Sequence, residues 1–413
     1  MNPVRGALVK EGKTQRVWGV EGDDSLIIQE SKSDITAYDN PSLTKQFEGK
    51  AEYATATTCR VFELLKQAGT SLAYRQQLSP TEFLAEKCEA IPLEVCVRRY
   101  APWYSSYTKR HPELAASQNA PFHRFHRLQV EFFLKTTNGE LKSKDGNVLI
   151  QGLRREYGEE DPLIEFTGDA QWKLLHSKCP RWSDGADLHR IVPALVSPYD
   201  RGEIEKIVRR AFLVAEGAWN ILGHHLIDGK FEFGLTKDGR FVIIDVFDND
   251  SWRLCNPEFQ EMSKETFRQK KPLDEVKRHY AAVAALAEQF RVPRQLLVFW
   301  CSSRHDALPI VPYSAVKEKR IILNCREVRK CLNQLEKLER DYPEGGVIIV
   351  KAREGEYIRS LLISQTTWPV VVVPANVSRD CEEEAVDFAA NILASKNPVL
   401  YMERRFRVEE LDA

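Results

Sequence analysis

The stretch LIDGKFEFGLTKDGRFVIIDVFDNDSWRL, residues 226–254, reads as two β-strands yet carries six carboxylates: Asp228, Glu232, Asp238, Asp245, Asp248 and Asp250. Asp238-Gly239 is a strong hairpin signal, because both residues tolerate the positive φ of a two-residue turn. Such a turn sets Lys237 against Arg240, Phe233 against Ile244 and Glu232 against Asp245. Side chains alternate along a strand, so Asp228, Lys230 and Glu232 share a face with Asp245. Ile227, Phe231, Phe233, Ile244 and Val246 then take the core face. Two carboxylates directly across a ladder sit about 5 Å apart and repel. A divalent cation removes that repulsion, and Mg²⁺ is the natural one, since it takes one or two carboxylates plus phosphate oxygens and water. The competing reading is a solvated polar face that tolerates a like-charge pair.

The surrounding elements follow from periodicity and turn signals. Residues 8–37 read as short strands, with Gly12-Lys13-Thr14 between two of them. A glycine there lets backbone N–H groups approach a phosphate, and a lysine adds charge, although the longer P-loop pattern is absent. Residues 51–69 and 203–222 have helical apolar spacing, and IPLEVCVRRYA (91–101) and VEFFLK (130–135) read as strands. Residues 136–160 read as a polar surface insertion and 167–201 as irregular chain, and a helix in 257–294 runs up to a boundary at Pro293. Beyond it QLLVFW, RIILN, GGVIIVKA and WPVVVVPA are continuous apolar runs, as in strands of a parallel sheet buried on both faces. With helices between them they predict a short three-layer α/β unit.

The chain has 413 residues, enough for two domains, and a formal net charge of −1, which argues against a general nucleic-acid binder. No apolar run reaches membrane-span length and no signal peptide opens the chain. Nine cysteines without regular spacing fit reduced thiols in a cytoplasmic protein.

EGKT (11–14), SDITAYDN (33–40), FEGKAEY (47–53), PLEVCVRRYA (92–101), VEFFLK (130–135), DP (161–162), LIDGKFEFG (226–234) and DVFDNDSWRL (245–254) occur in an order that resembles SAICAR synthetase, the ATP-dependent ligase of purine biosynthesis. DNDSWRL is especially similar to the animal bifunctional enzyme, in which an AIR carboxylase domain follows, and QTTWPVVVVPA (365–375) resembles part of that second domain. The resemblance implies an α+β, ATP-grasp-like ligase domain over residues 1–270. A helical linker (271–294) and a shortened α/β three-layer domain with a parallel sheet (295–413) would follow, the latter serving homo-oligomerisation. It implies ATP and Mg²⁺ as cofactors, an acyl-phosphate formed on a small-molecule carboxylate, and aspartate or a related amino acid as the amine. No nucleic-acid or membrane partner is implied.

By the same resemblance Glu232 and Asp245 are the metal and phosphate-side carboxylates, and Lys230 reaches the transferring phosphoryl group. Asp228 matches an active-site position, and Asp250 and Arg253 match an acceptor-side pair. Lys264 and Arg268 match a basic pair closing over ligand, and Glu94 and Arg98 match nucleotide and acceptor contacts. Lys135 and Asp161 match a pair near the reacting end. Gly12, Lys13 and Thr14 match the phosphate-contacting hairpin. For any one of these the plain alternative is a surface ion pair; together, in register, they favour a site.

The departures cluster. Gln15 replaces a second lysine of the glycine-rich loop, Tyr38 stands in place of a small residue, and an asparagine is missing from FEGKAEYATA. After Arg98 the family has a short A-x-G-S turn that seats a ribose phosphate; here the chain reads APWYSSYTKR (101–110), adding Trp103 and Tyr104. These fill space and lack glycine's freedom. Ser105 or Ser106 takes the serine's place. The ATP-and-metal half is therefore expected to be kept and the acceptor half rebuilt. Three readings stay open: a ligase for a different carboxylate, an authentic SAICAR synthetase, or a non-catalytic paralogue. In the C-terminal domain Cys301 stands where a phosphate-loop glycine belongs, NCRE (324–327) and KAREGEY (351–357) replace the segments that supply a histidine and glycines, and His305 is off position, so the carboxylase is expected to be inactive. His176, Cys179 and His189 fit no zinc spacing, FHRFHR (122–127) reads as a strand edge or loop, and Cys301 as a buried thiol.

Overall fold

The computed structural model describes residues 3–37, 40–114, 122–137, 139–142, 146–153, 161–301, 311–323, 327–352, 357–374 and 377–411. Tyr38, His305 and most of the replaced carboxylase segments lie outside these residues. The chain forms two compact units, Met1–Phe290 and Arg291–Ala413.

Besides two small two-stranded pairs, Asp34–Thr36 with Thr44–Gln46 and Leu141–Lys142 with Val148–Ile150, the described residues of the first unit form two large antiparallel sheets. The smaller runs, in spatial order, Arg5–Glu11, Gln15–Val20, Asp23–Ser31, Glu82–Glu86 and Tyr74–Ser79. The larger is eight-stranded and is centred on His225–Leu235, flanked along one edge by Glu89–Ala101 and then His123–Leu134. Its far side continues through Leu163–Phe166, Gln171–Leu175 and Asp187–Pro193, so much of the stretch expected to be irregular forms the sheet's outer strands. The other edge of the central strand is shared, with Phe241–Ile244 pairing its C-terminal half and Trp252–Cys255 its N-terminal half.

The helix Pro198–Ile221 starts where Ser197 accepts the Asp200 N–H and Pro198 supplies a preset φ. Its apolar stripe of Ile204, Val208, Ala211, Phe212, Ala215 and Trp219 is fully buried. Leu273–Ala287, expected to be a linker, belongs to the first unit: Val276 and Tyr280 pack with Ile35, Ala37, Phe47 and Phe267 in one core cluster. Its amphipathic face needs that burial, and a free linker would leave it wet.

The second unit is the expected three-layer sandwich. Four parallel strands run in the order Lys317–Ile322, Leu296–Cys301, Gly346–Ala352, Val370–Pro374. Leu296, Val298 and Trp300 face the helices Val328–Asp341 and Ile358–Gln365, whereas Leu297 and Phe299 face Arg379–Ala394 and Pro398–Leu411. Both faces are covered, which accounts for the unbroken apolar runs.

Candidate active site

The hairpin forms one register away from the expected one. Thr236 pairs with Arg240 around Lys237-Asp238-Gly239, with Gly239 at φ +82°, so Phe233 faces Ile243 and Glu232 faces Ile244. A three-residue loop with a left-handed glycine competes with the two-residue turn, and here the Thr236 hydroxyl accepts the Arg240 N–H at 2.9 Å and holds the longer loop. A one-residue slip would normally turn Asp245 to the other face. The strand, however, ends at Ile244, and Asp245 adopts φ +67°, which returns its carboxylate to Glu232. The ladder partner of Glu232 is another carboxylate, Glu94, on the opposite neighbouring strand.

From Asp245 to Ser251 the chain leaves the sheet, and it rejoins the central strand with the Lys230 N–H donating to the Ser251 carbonyl at 2.9 Å. This excursion opens the sheet edge beside Lys230. The Lys230 ammonium lies 2.8 Å from Glu94 and 4.0 Å from Glu232, with its side chain 36% exposed. Lys135 donates to Glu232 from the end of the strand His123–Leu134. Burial opposes the Lys230 charge, but Glu94 and Glu232 outweigh it and raise its pKa well above the ordinary value. Burial likewise opposes the charge on Glu232, yet Lys230 and Lys135 hold its pKa below the usual range. Asp245 is pushed up to about 7, by burial and then by the Glu232 charge. Asp245 therefore keeps its proton to higher pH than an ordinary carboxyl does.

Glu232, Asp245 and Lys135 line a cleft of roughly 380 Å³ together with Gly12, Lys13 and Thr14. The rest of the cleft is largely apolar, with Val17, Ile27, Phe83, Ala85 and Ile243 among its walls. Such a cleft offers a ligand both apolar walls and charged groups. Gly12 closes its turn through a 2.8 Å N–H bond to the Gln15 carbonyl, and the Gln15 side chain accepts from Gln29.

A second cluster lies further along the central strand. Arg98 and Arg253 both donate to Asp228, which stands between them in register. Arg253 also approaches Glu265 at 3.6 Å, and Arg268 bonds Glu265 at 3.0 Å. Tyr104 places its ring 5.4 Å from the Arg253 guanidinium and donates its hydroxyl to Glu261 at 2.9 Å. Trp103, 45% exposed, stands edge-on to Tyr104. The two serines separate cleanly. Ser105 is buried and caps the helix Ser106–Arg110 by accepting the Thr108 N–H, so it does not face a ligand, whereas Ser106 Oγ lies 3.4 Å from Arg98. Asp161 accepts the Thr136 N–H at 2.8 Å, beside Lys135, despite the insertion between them.

The third cluster is in the excursion itself. Asp250 accepts from Lys50 at 2.7 Å and from the Tyr280 hydroxyl at 2.7 Å, with Lys264 at 3.6 Å. Burial works against the Asp250 charge, but Lys264 and Lys50 hold its pKa far below the usual range. Asp248, buried beside it, is pushed up to about 7 by burial and by Asp250.

A SAICAR synthetase family model matches residues 8–157 and 185–285. The phosphoribosylaminoimidazole-succinocarboxamide synthase of Chloroflexus aurantiacus is 31% identical over 288 residues, covering 68% of this chain and 96% of that protein. The chain belongs to the SAICAR synthetase family. The probable multifunctional protein ADE2 of Caenorhabditis elegans is 27% identical over 299 residues, and this match spans 70% of the chain but only 60% of that longer protein. Among solved structures, the phosphoribosylaminoimidazole-succinocarboxamide synthase of Ehrlichia chaffeensis superposes with TM-score 0.51 at 19% identity, covering 69% of this chain and 99% of that one. A SAICAR synthetase (Type-2) in complex with ADP gives 0.50 at 22%, covering 68% and 98%. These likenesses establish a SAICAR synthetase fold for the first unit. Residues 158–184 fall between the two stretches that match the family model.

The hairpin reading and the family resemblance singled out the hairpin carboxylates, Lys230, Lys135, Arg98 and Arg253, and the structure sets them on or beside the central strand His225–Leu235. Sequence reasoning missed Lys50, Glu131 and Tyr280. Lys50 was detectable: it is 1% exposed and falls on the buried stripe with Ala54, Thr58, Val61 and Leu65, an unusual place for a lysine. Glu131 lies on a strand face whose polarity could not be assigned without knowing its neighbour, Arg98. Other suggestive groups are structural: His176 Nδ1 accepts the N–H groups of Lys178 and Cys179, His189 is exposed, and Cys301 is buried. FHRFHR opens the strand His123–Leu134, with Arg124 opposite Tyr100.

Proposed function

We propose that the chain is an ATP- and Mg²⁺-dependent carboxylate–amine ligase that forms an amide through an acyl-phosphate, with aspartate or a related amino acid as the amine. The observation that carries this is the Glu232–Asp245 pair, flanked by Lys230 and Lys135, in the lining of a nucleotide-sized cleft. Among the described residues no group of three or more His, Cys, Asp or Glu gathers as a metal cage. Two carboxylates completed by phosphate and water fit Mg²⁺ rather than a closed structural site. Bound there, the ion would neutralise the charge shared between phosphates as one of them transfers.

The protein's own groups divide the work by position. The Gly12–Thr14 turn and Lys135 would hold phosphate oxygens. Lys230, tethered by Glu94, would follow the phosphoryl group toward the acid. Arg98 and Arg253, set by Asp228, would hold the acceptor. Lys264, drawn to Asp250, and Arg268 would close over the ligand. A second reading, a changed acceptor acid, draws support from Tyr104: its ring covers Arg253, where the family keeps a small Gly-Ser turn.

The test is ADP release with Mg-ATP and aspartate, first with carboxyaminoimidazole ribotide and then with a panel of aromatic and aliphatic acids. Turnover with the ribotide makes the protein an authentic SAICAR synthetase. Turnover with another acid alone makes Trp103 and Tyr104 specificity elements. Silence throughout with ATP still bound turns the reading toward a scaffold. We further propose that Arg291–Ala413 is an assembly platform without carboxylase chemistry, so the full chain should not decarboxylate carboxyaminoimidazole ribotide; measurable decarboxylation would overturn this.

A further inference from the structure

Arg110 ends the helix Ser106–Arg110 and is 1% exposed. It donates one Nη to Glu131 and the other to the Ser177 carbonyl, and its own carbonyl accepts the Arg181 N–H at 3.3 Å. The second oxygen of Glu131 accepts Arg98 Nε at 3.0 Å. The Tyr107 ring lies 5.8 Å from the Arg110 guanidinium and 5.9 Å from that of Arg98. Ser177 and Arg181 both belong to the segment 158–184, outside the matched family model. The loop after Arg98 and this unmatched segment therefore meet at one buried side chain.

A carboxylate beside a single guanidinium tends to grip it with both oxygens. Arg110 occupies one oxygen of Glu131, so Glu131 holds Arg98 through Nε alone. Asp228 holds Arg98 Nη1, and Nη2 is left facing Ser106 Oγ at 3.4 Å, on the side of the rebuilt loop. We propose that Arg110 is a positioning residue for Arg98, and that the segment 158–184, through Ser177 and Arg181, thereby shapes the acceptor pocket. Without Arg110 the Glu131 carboxylate closes on Arg98 Nε and Nη2 together and withdraws the donor meant for substrate. The kinetic side of this inference rests on the ligase reading above; the geometric side does not.

The test uses the full chain with Arg110→Met, which keeps the stem packed on Tyr107, and Arg110→Lys, which keeps one charged bond to Glu131. For an acid that the unaltered protein turns over, KM should rise roughly ten-fold or more in Arg110→Met and less in Arg110→Lys. KM for ATP should stay within about two-fold. A crystal structure of Arg110→Met should show both Glu131 oxygens on Arg98. Glu131 and Arg98 unmoved, or acid and ATP constants shifting together, would overturn the proposal. If no acid supports ADP release, the ligase reading fails, while the variant structure still decides the positioning. Should Arg110→Met not fold, Arg110→Lys carries the same structural comparison, with Glu131 expected to shift toward Arg98.

Discussion

Asp245 meets Glu232 without being its ladder partner. Its left-handed backbone, uncommon for a non-glycine residue, is stored strain at the point where the chain leaves the sheet. Glu232→Gln and Asp245→Asn keep shape but remove charge. Each should lower Mg-ATP-dependent ADP release by on the order of a hundred-fold with circular dichroism unchanged; near-parental rates in both would sink the metal assignment. Asp248 gives a pH prediction. An acid whose folded pKa is raised from 3.8 to about 7 keeps its proton in the folded state after the unfolded chain has lost it. Its stabilising effect is complete below the lower value and is lost as pH rises through that window. Asp248→Asn cannot titrate, and its side chain can still bond Thr58 and the Asp250 N–H, the present partners. Its melting temperature relative to the parent should climb as pH goes from about 4 to about 8. A pH-independent difference would show that Asp248 carries no raised pKa.

At the scale of elements, the site exists because two short strands share one edge of the central strand and the chain between them, Asp245–Ser251, swings out. Phe247 anchors that swing: it stacks on Phe231 at 4.2 Å and packs edge-on to Trp252 at 4.9 Å. Gly229 makes room, since a Cβ there would lie 2.6 Å from the Phe247 ring. Gly229→Ala should cost about 1–3 kcal/mol in denaturant unfolding and weaken nucleotide binding, because Asp245 and Asp250 move with Phe247. Stability lost with nucleotide affinity unchanged would separate the excursion from the site. The loop 101–111 is held just as firmly, by the Ser105 cap, the Tyr104–Glu261 bond and Arg110. Nothing in its sequence foretold that Ser105 would be consumed as a cap while Ser106 faced Arg98.

At the scale of the molecule, the first unit extends to Phe290 and includes the helix Leu273–Ala287, which the sequence alone presents as a linker. That helix delivers the Tyr280 hydroxyl to Asp250 and closes the core over Phe47 and Phe267. A chain ending at Lys270 should therefore melt far lower than one ending at Phe290, and should bind ADP more weakly. Equal melting and equal affinity would restore the linker reading. Among the described residues no helix is long and apolar enough to cross a membrane.

What the sequence determined by itself was local. Alternation, unbroken apolar runs and turn residues identified the hairpin and the parallel sheet, because those patterns depend on neighbours a few positions away, whereas most charged residues of the candidate site came from the resemblance to SAICAR synthetase. What only the tertiary structure decided was relational. The hairpin register turned on whether Thr236 could brace a longer loop. The Glu232–Asp245 pair turned on one positive φ, the partnership of Lys50 with Asp250 spans 200 residues of chain, and Arg110 acquires meaning only from Glu131 and Ser177. Burying a charge is tolerable only beside its partner, and partners so far apart in sequence become known when the chain has folded.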